Sequence, residues 1–411
     1  MIEIKGKYNT AKVFIDNLES STIGQLTSMC NLEQFKDSKI RIMPDCHSGI
    51  GCVIGTTMTI TDKITPNLVG VDIGCGMLAI KLREKNIDFQ SFDKVVVEEL
   101  TDTRQKRRVT YENPEINNLR CKSNKAPLRV ELANASLGTL GGGNHFLELD
   151  KDSNGNLWLI IHTGSRHLGI EVCNWYQKQA YADLTFKING GNAETKRKDL
   201  INKAKREGRD REIAKLIKQF NSTYTEIKPS VPFEFAYCCG QLFDDYIHDM
   251  EIVQRHASLN REKIANTIIK KCKLHEIERV ETIHNYIDTE NMILRKGAIS
   301  AKQDEMVIIP MNMRDGTLIC RGKGNEDWNN SAPHGAGRLF SRSDTKSRFN
   351  LSEYKKTMKG IYSSSISKDT LDECPMAYKP AETIMMCIKD TVDIVEILKP
   401  LYNFKNGKIL D

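Results

Sequence analysis

Five short segments of this 411-residue chain put metal- or phosphate-seeking side chains beside glycines. In the first, Asp72 and Cys75 lie in the glycine-rich turn Gly70–Gly76, after an apolar run. A carboxylate and a thiolate three residues apart make half of a transition-metal site. Alone, such a turn is more often structural, around a buried cysteine. The second is Gly138–Glu148, where three consecutive glycines precede Asn144 and His145. Glycines let backbone N–H groups approach a phosphate closely. In the third, an apolar run ends in His162 and enters a turn, Thr163–His167. Arg166 there has the fork geometry that suits a phosphate, and His167 reads as a surface histidine. The fourth places His284 and Asn285 shortly before Arg295-Lys296-Gly297. The fifth sets His334 in a glycine turn, with Gly335 and Ala336 leaving room for a nucleotide and Arg338 and Arg342 supplying positive charge.

Each segment is weak evidence; together they are not. Four of the nine histidines (His145, His162, His284 and His334) fall in or beside Gly-, Ser- or Asn-rich turns. With Asp72 and Cys75 they supply ligands for two metal ions and one spare imidazole. Two metals suit phosphoryl transfer because they clamp attacking and leaving oxygens. A neutral imidazole can attack phosphorus. The same cluster would also serve a metal-dependent RNA phosphoesterase, which would be indifferent to nucleotide. An RNA-binding protein without catalysis is a further rival, and it would tolerate the loss of any of these ligands.

These residues need elements to hold them. Short strands are predicted at 40–43, 68–72, 157–161, 305–309 and 317–320 from apolar and β-branched runs. Helices are predicted at 92–100, 199–220 (broken at Gly208), 233–267 and 380–398. The mixture indicates an α/β chain. Chemistry-bearing motifs spread from Asp45 to Lys405 argue for one interwoven domain over residues 1–411, with a basic helical insertion around 187–230. Apolar residues at 39% allow a sizeable core. Of the net charge of +6, an equal excess sits in 196–218, with ten Lys/Arg against four Asp/Glu. Such a run can attract a phosphate backbone or be a solvated helix face. Twelve scattered cysteines without a CxxC pair indicate reduced, mostly buried thiols. No apolar run is long enough to span a bilayer, and Met1–Leu18 lacks a signal-peptide core. The expectation is a cytoplasmic protein without a membrane partner.

In this order the segments resemble the RtcB family of RNA ligases. The resemblance rests on Met43-Pro44-Asp45-Cys46-His47-Ser48-Gly49, VGVDIGCG, GTLGGGNHFLE, HTGSR, HN followed by RKGA, and RGKGN with HGAGRLFSR. It implies a compact α+β fold and a GTP- and manganese-dependent ligase. Such an enzyme joins RNA 3′-phosphate or 2′,3′-cyclic phosphate ends to 5′-hydroxyl ends through a histidine–GMP adduct. His334 matches the guanylylated histidine, and Asp45 the carboxylate that orients it. Asp72, Cys75, His145, His162 and His284 match the ligands of two Mn2+ ions, Cys75 bridging. Asn144, His145, Phe146, Leu147, Glu148, His284, Asn285, Pro310, Met311, Asn312, Met313, Thr317, His334, Gly335, Ala336, Gly337 and Lys405 match the nucleotide contacts, Glu148 and Lys405 at the guanine edge. Arg166, Lys296, Arg338 and Arg342 match groups suited to RNA phosphates. The implied partner is RNA with broken ends, in repair or tRNA splicing, with room for an accessory activating protein. On donor softness alone the site would suit zinc as well as manganese. Departures from the family pattern are Asn312 and Thr317 where serines are usual, Pro333 before the nucleophile, His167 for glycine, and Cys46 for valine. None removes a ligand or the nucleophile.

Overall fold

The strand Leu157–Thr163 is buried along its whole length, as it must be when both faces of its sheet are covered. It lies inside a seven-stranded antiparallel sheet. Across that sheet run Met306–Asn312, Gly316–Gly322, Val392–Phe404, Phe146–Lys151, Leu157–Thr163, Gly76–Leu82 and Glu276–Ile283. Side chains alternate between its faces. Leu78, Ile80, Leu147, Leu149, Leu159 and Ile161 pack with Ile264 and Ile268 of the helix Gln241–Cys272. Met77, Ala79, Trp158 and Ile160 face Ile308, Ile319 and Leu398 on the other side. The computed structural model describes residues 1–49, 51–101 and 111–407.

Antiparallel pairing is what assembles the site. Gly76 pairs with both Thr163 and Ile283, and Phe146 pairs with His162. Two strands therefore begin where their neighbours end. The residue before Gly76 (Cys75), the residue before Phe146 (His145), the penultimate residue His162 and the residue after Ile283 (His284) share one edge. A six-stranded sheet brings a second edge: Ile2–Lys5, Thr10–Val13, Ile40–His47, Ile54–Thr59, Ile293–Lys296 and Asn285–Asp288. Its strand Ile40–His47 carries Asp45. A two-stranded ribbon, Ala298–Ser300 with Ser331–Pro333, ends at His334.

The mixed α+β architecture matches expectation, but several elements differ. Residues 68–72 are not a strand. Pro66–Val69 is a short helix with proline in its first turn, followed by Gly70 at φ +104°. Residues 380–398 are not one helix. Ala381–Cys387 is helical, then Val392–Phe404 pairs between Gly316–Gly322 and Phe146–Lys151; its β-branched Val392, Ile394, Val395 and Ile397 favour that outcome. The helix expected at 233–267 starts only at Gln241, after Gly240 at φ +57°. The basic stretch is two helices, Ala193–Arg206 and Ile213–Thr223, parted at Gly208. The helix His167–Asn189 was not anticipated, and His167 is buried in its first turn rather than exposed. Nine of the twelve cysteines are buried and all are free.

Two buried residues of the long helix fasten the loops of the site. The amide of Asn260 accepts from Gly138 N (2.6 Å) and donates to Gly164 O (3.2 Å), joining two glycine loops. Arg261, fully buried, donates to Gly74 O (2.9 Å), Thr163 O (2.8 Å) and Glu281 Oε1 (2.7 Å). Replacing Arg261 with methionine orphans two buried carbonyls. The expected loss is about 3–5 kcal/mol of unfolding free energy in urea. A variant as stable as the parent would show that the loops are held by other contacts.

Candidate active site

Five donors meet at the shared sheet edge. Cys75 Sγ lies 3.5 Å from His145 Nε2 and 3.4 Å from His162 Nε2. His145 Nε2 is 3.1 Å from Asp72 Oδ2, and His162 Nε2 is 3.4 Å from His284 Nε2. The donors form two overlapping groups, Asp72/Cys75/His145 and Cys75/His162/His284, each within 4.8 Å. Cys75 belongs to both. Ser165 N (2.9 Å) and Ser165 Oγ (3.0 Å) fix Asp72 from behind.

This set fits cations and little else. Two imidazole Nε2 atoms facing each other at 3.4 Å beside a sulfur can share at most one proton per contact. Burial pushes the His162 and His284 imidazoles far toward the neutral form; His145 pushes His162 further, and His334 pushes both. Burial, with Asp72 beside it, also keeps the Cys75 thiol protonated. Asp72 is drawn down to about 2: burial opposes this, but His145 and Ser165 outweigh it. A divalent cation in each group would satisfy lone pairs that protons cannot.

His334 stands beside this cluster, its ring 4.8 Å from that of His284. Its Nδ1 lies 2.7 Å from Asp45 Oδ2, on a fully buried carboxylate. Because the carboxylate accepts, Nδ1 carries the proton and Nε2 holds the lone pair. Gly337 must be glycine here: its φ is +73°, and a Cβ would sit 2.1 Å from Asp45 O.

A cavity of about 600 Å³ opens in front of His334. Asn144, Phe146, Glu148, Pro310 to Met313, Gly335 to Gly337 and Lys405 line it as anticipated. Glu148 accepts from Asn403, and burial pushes its carboxyl up to about 8 against the pull of Asn403 and Lys405. Lys405 Nζ lies 5.4 Å from the Phe146 ring centroid. Other anticipated residues stand outside the cavity wall. The Leu147 side chain turns the opposite way, into the core. Asn285 braces the turn, donating to Asp72 O (3.1 Å) and accepting from Gly297 N (3.0 Å). Thr317 is buried in the sheet. Asn312 is on the wall, and its side chain caps the turn to Asp315.

The four cations assigned to RNA divide. Arg166 is buried against Gly141, where a Cβ would meet its Nη1 at 1.5 Å. Lys296 is buried, with Nζ 2.9 Å from Asn67 O. Arg338 and Arg342 line the cavity, and both reach Glu373, a residue the sequence did not single out. Glu373 Oε1 meets Arg338 Nη1 (3.2 Å) and Arg342 Nη1 (2.5 Å). Its Oε2 meets Lys405 Nζ (2.8 Å) and Tyr378 Oη (2.6 Å). Nothing in the local pattern around Glu373 marks it; only the fold brings three cations to it.

Metal-ready donors and an oriented imidazole thus meet beside one cavity. The comparisons with known proteins agree on where the chain belongs. A family model described as tRNA-splicing ligase RtcB matches residues 25–117 and 94–406. RNA-splicing ligase RtcB of Escherichia coli strain K12 is 28% identical over 397 residues, 88% of each chain. RNA-splicing ligase RtcB2 of Escherichia coli strain ATCC 25922 is 27% identical over 424 residues, 95% of this chain and 93% of its own. The tRNA-splicing ligase RtcB of Methanococcus maripaludis is 24% identical, covering 97% of this chain and 94% of its own. The chain belongs to the RtcB family.

Glu373 gives a pH signature. Burial would raise its carboxyl, but Lys405, Arg342 and Arg338 pull it from 4.5 to about 2. A depressed folded-state value stabilises the protein above pH 4.5, and that contribution vanishes as pH falls toward 2. Glu373→Gln should therefore lose on the order of 3 kcal/mol at neutral pH. The difference from wild type in urea denaturation should shrink steadily below pH 4.5. A pH-independent difference would mean that packing, not charge, is what Glu373 contributes.

Proposed function

We propose that this protein is an RNA ligase that uses GTP and two Mn2+ ions to join RNA 3′-phosphate or 2′,3′-cyclic phosphate ends to 5′-hydroxyl ends. The observation that carries this reading is the 2.7 Å contact from His334 Nδ1 to Asp45, which presents a nucleophilic Nε2 at the edge of both the donor cluster and the cavity. A phosphoesterase would need the cluster but neither the oriented imidazole nor the Glu148/Lys405 wall.

In the first step His334 Nε2 forms a bond to the α-phosphorus of GTP and pyrophosphate departs. Asp45 stabilises the positive charge that develops on the ring. Glu148 and Lys405 offer an acceptor and a donor to the guanine edge, and Phe146 a flat apolar face. GMP then passes to an RNA 3′-phosphate, which supplies the leaving group a phosphate monoester lacks. A cyclic phosphate is first opened by water. Finally the 5′-hydroxyl attacks and GMP leaves. Asp72, Cys75, His145, His162 and His284 would hold the manganese ions, which when bound neutralise the phosphoryl oxygens as charge builds. The names of the relatives support RNA as the substrate. The role is RNA repair or tRNA splicing.

Two measurements test it. Incubation with GTP radiolabelled at its α-phosphate and Mn2+ should give wild type an acid-labile, alkali-stable label that His334→Ala lacks. An unlabelled, metal-loaded wild type would sink the ligase mechanism. Metal loading should also report the shared thiolate. Wild type should retain two Mn2+ by elemental analysis, His145→Ala one, and Cys75→Ala none. Full loading of Cys75→Ala would rule out a bridging Cys75.

A further inference from the structure

The cavity extends to both sides of His334. Glu148, Glu373, Tyr378 and Lys405 wall one end; Glu19, His47, Ser48, Gly49 and Ile54 wall the other. The guanine contacts use the first end and leave the second without a role.

One residue tethers a histidine at each position. The Asp45 carboxylate holds His334 Nδ1, and the Asp45 backbone carbonyl lies 3.1 Å from His47 Nδ1. A carbonyl can only accept, so His47 Nδ1 carries the proton and its Nε2 is basic. The strand is arranged to allow this. Lys379 Nζ donates to Pro44 O and Cys46 O, each at 2.9 Å, on either side of Asp45. The segment that follows His47 is clamped to the helix Ser20–Cys30. Gln25 Nε2 donates to Gly49 O (2.8 Å), Gly49 N returns to Gln25 Oε1 (3.2 Å), and Ser48 Oγ meets Ser21 Oγ (2.6 Å). His47 is thus a half-buried imidazole on a braced lip of the cavity. Burial lowers its pKa to about 4, with Asp45 opposing and His334 and Lys379 assisting, so the free ring is neutral at physiological pH. Phosphates entering the cavity would raise its basicity.

We propose that His47 is a second catalytic histidine, the general base that takes the proton of the RNA 5′-hydroxyl in the sealing step. This rests on the ligase reading above. The 5′-oxygen forms a bond to the phosphorus of the guanylylated 3′-phosphate. The anhydride P–O bond breaks, GMP leaves with the electron pair, and the hydroxyl proton moves to His47 Nε2 and on to solvent. The two histidines divide the work: His334 carries GMP, His47 readies the incoming strand.

The test separates the steps on one preparation of metal-loaded enzyme. Guanylylation of His334 is measured with labelled GTP. Sealing is measured with an RNA strand already bearing a 3′-diphosphoguanosine end and a second strand with a 5′-hydroxyl. In His47→Ala the ratio of sealing rate to guanylylation rate should fall at least about 100-fold, the usual contribution of a general base, and free imidazole should recover part of it. His47→Gln, closer in size, should show the same split and guards against a folding defect in the alanine variant. Sealing that is unchanged, that falls in step with guanylylation, or that imidazole cannot recover would overturn the assignment. Wild type that seals the activated strand but takes no label from GTP would instead refute the ligase reading at His334.

Discussion

The structure depends on placing five donors, with more lone pairs than shared protons can satisfy, at one buried edge of an antiparallel sheet. Cys75, His145, His162 and His284 sit at the ends of four adjacent strands, and Asp72 reaches them from a glycine turn. Burial disfavours a thiolate and an imidazolium alike. Their converging lone pairs are an arrangement that a cation would satisfy. Much of the surrounding fold serves to hold these donors in place: Ser165 behind Asp72, Asn285 across the turn, and Asn260 and Arg261 beneath the loops.

The opposite problem is solved at the far end of the cavity. Three cations suited to an anionic ligand converge there, and in its absence they would repel one another. Glu373, buried and ionised, compensates them. Its two oxygens set the positions of Lys405, Arg338, Arg342 and Tyr378, so an anionic ligand would meet groups already in place. Arg342 has Asp372 as a further partner at 2.6 Å, which leaves it anchored when charge in the cavity changes. Glu148, without such cations on both oxygens, stays hard to ionise. Two buried carboxylates in one cavity thus have opposite character, set by their neighbours.

Asp45 links the two regions. Its carboxylate and its carbonyl each hold a histidine Nδ1, and its backbone is met by Gly337 at van der Waals range. The strand Ile40–His47, the ribbon ending at Pro333 and the turn after His334 are locked together at this residue. That explains why a glycine with positive φ follows the nucleophile: any Cβ there would push Asp45 away from both rings.

Much of the site was legible in the sequence, because metal ligands and nucleophiles are chemically rare and sit in glycine turns that are themselves easy to read. Asp72, Cys75, His145, His162, His284, His334 and Asp45 needed only their types, their local settings and the family resemblance. The secondary structure was legible where an apolar run had one interpretation, as at Leu157–Thr163, and illegible where it had two. Residues 68–72 and the segment Val392–Phe404 were misread because short apolar runs fit helix or strand until their partners are known. What only the tertiary structure decided was which charges meet. Glu373, Asn260, Arg261 and Lys379 carry no local signature; their roles arise from neighbours distant in the chain. For the same reason Arg166 and Lys296, which read as phosphate ligands, turn out to be buried among backbone and loop atoms. Sequence specifies which groups can do chemistry, because that follows from atoms within one residue. Which of them face a ligand depends on distances between residues, and those exist only once the strands have paired.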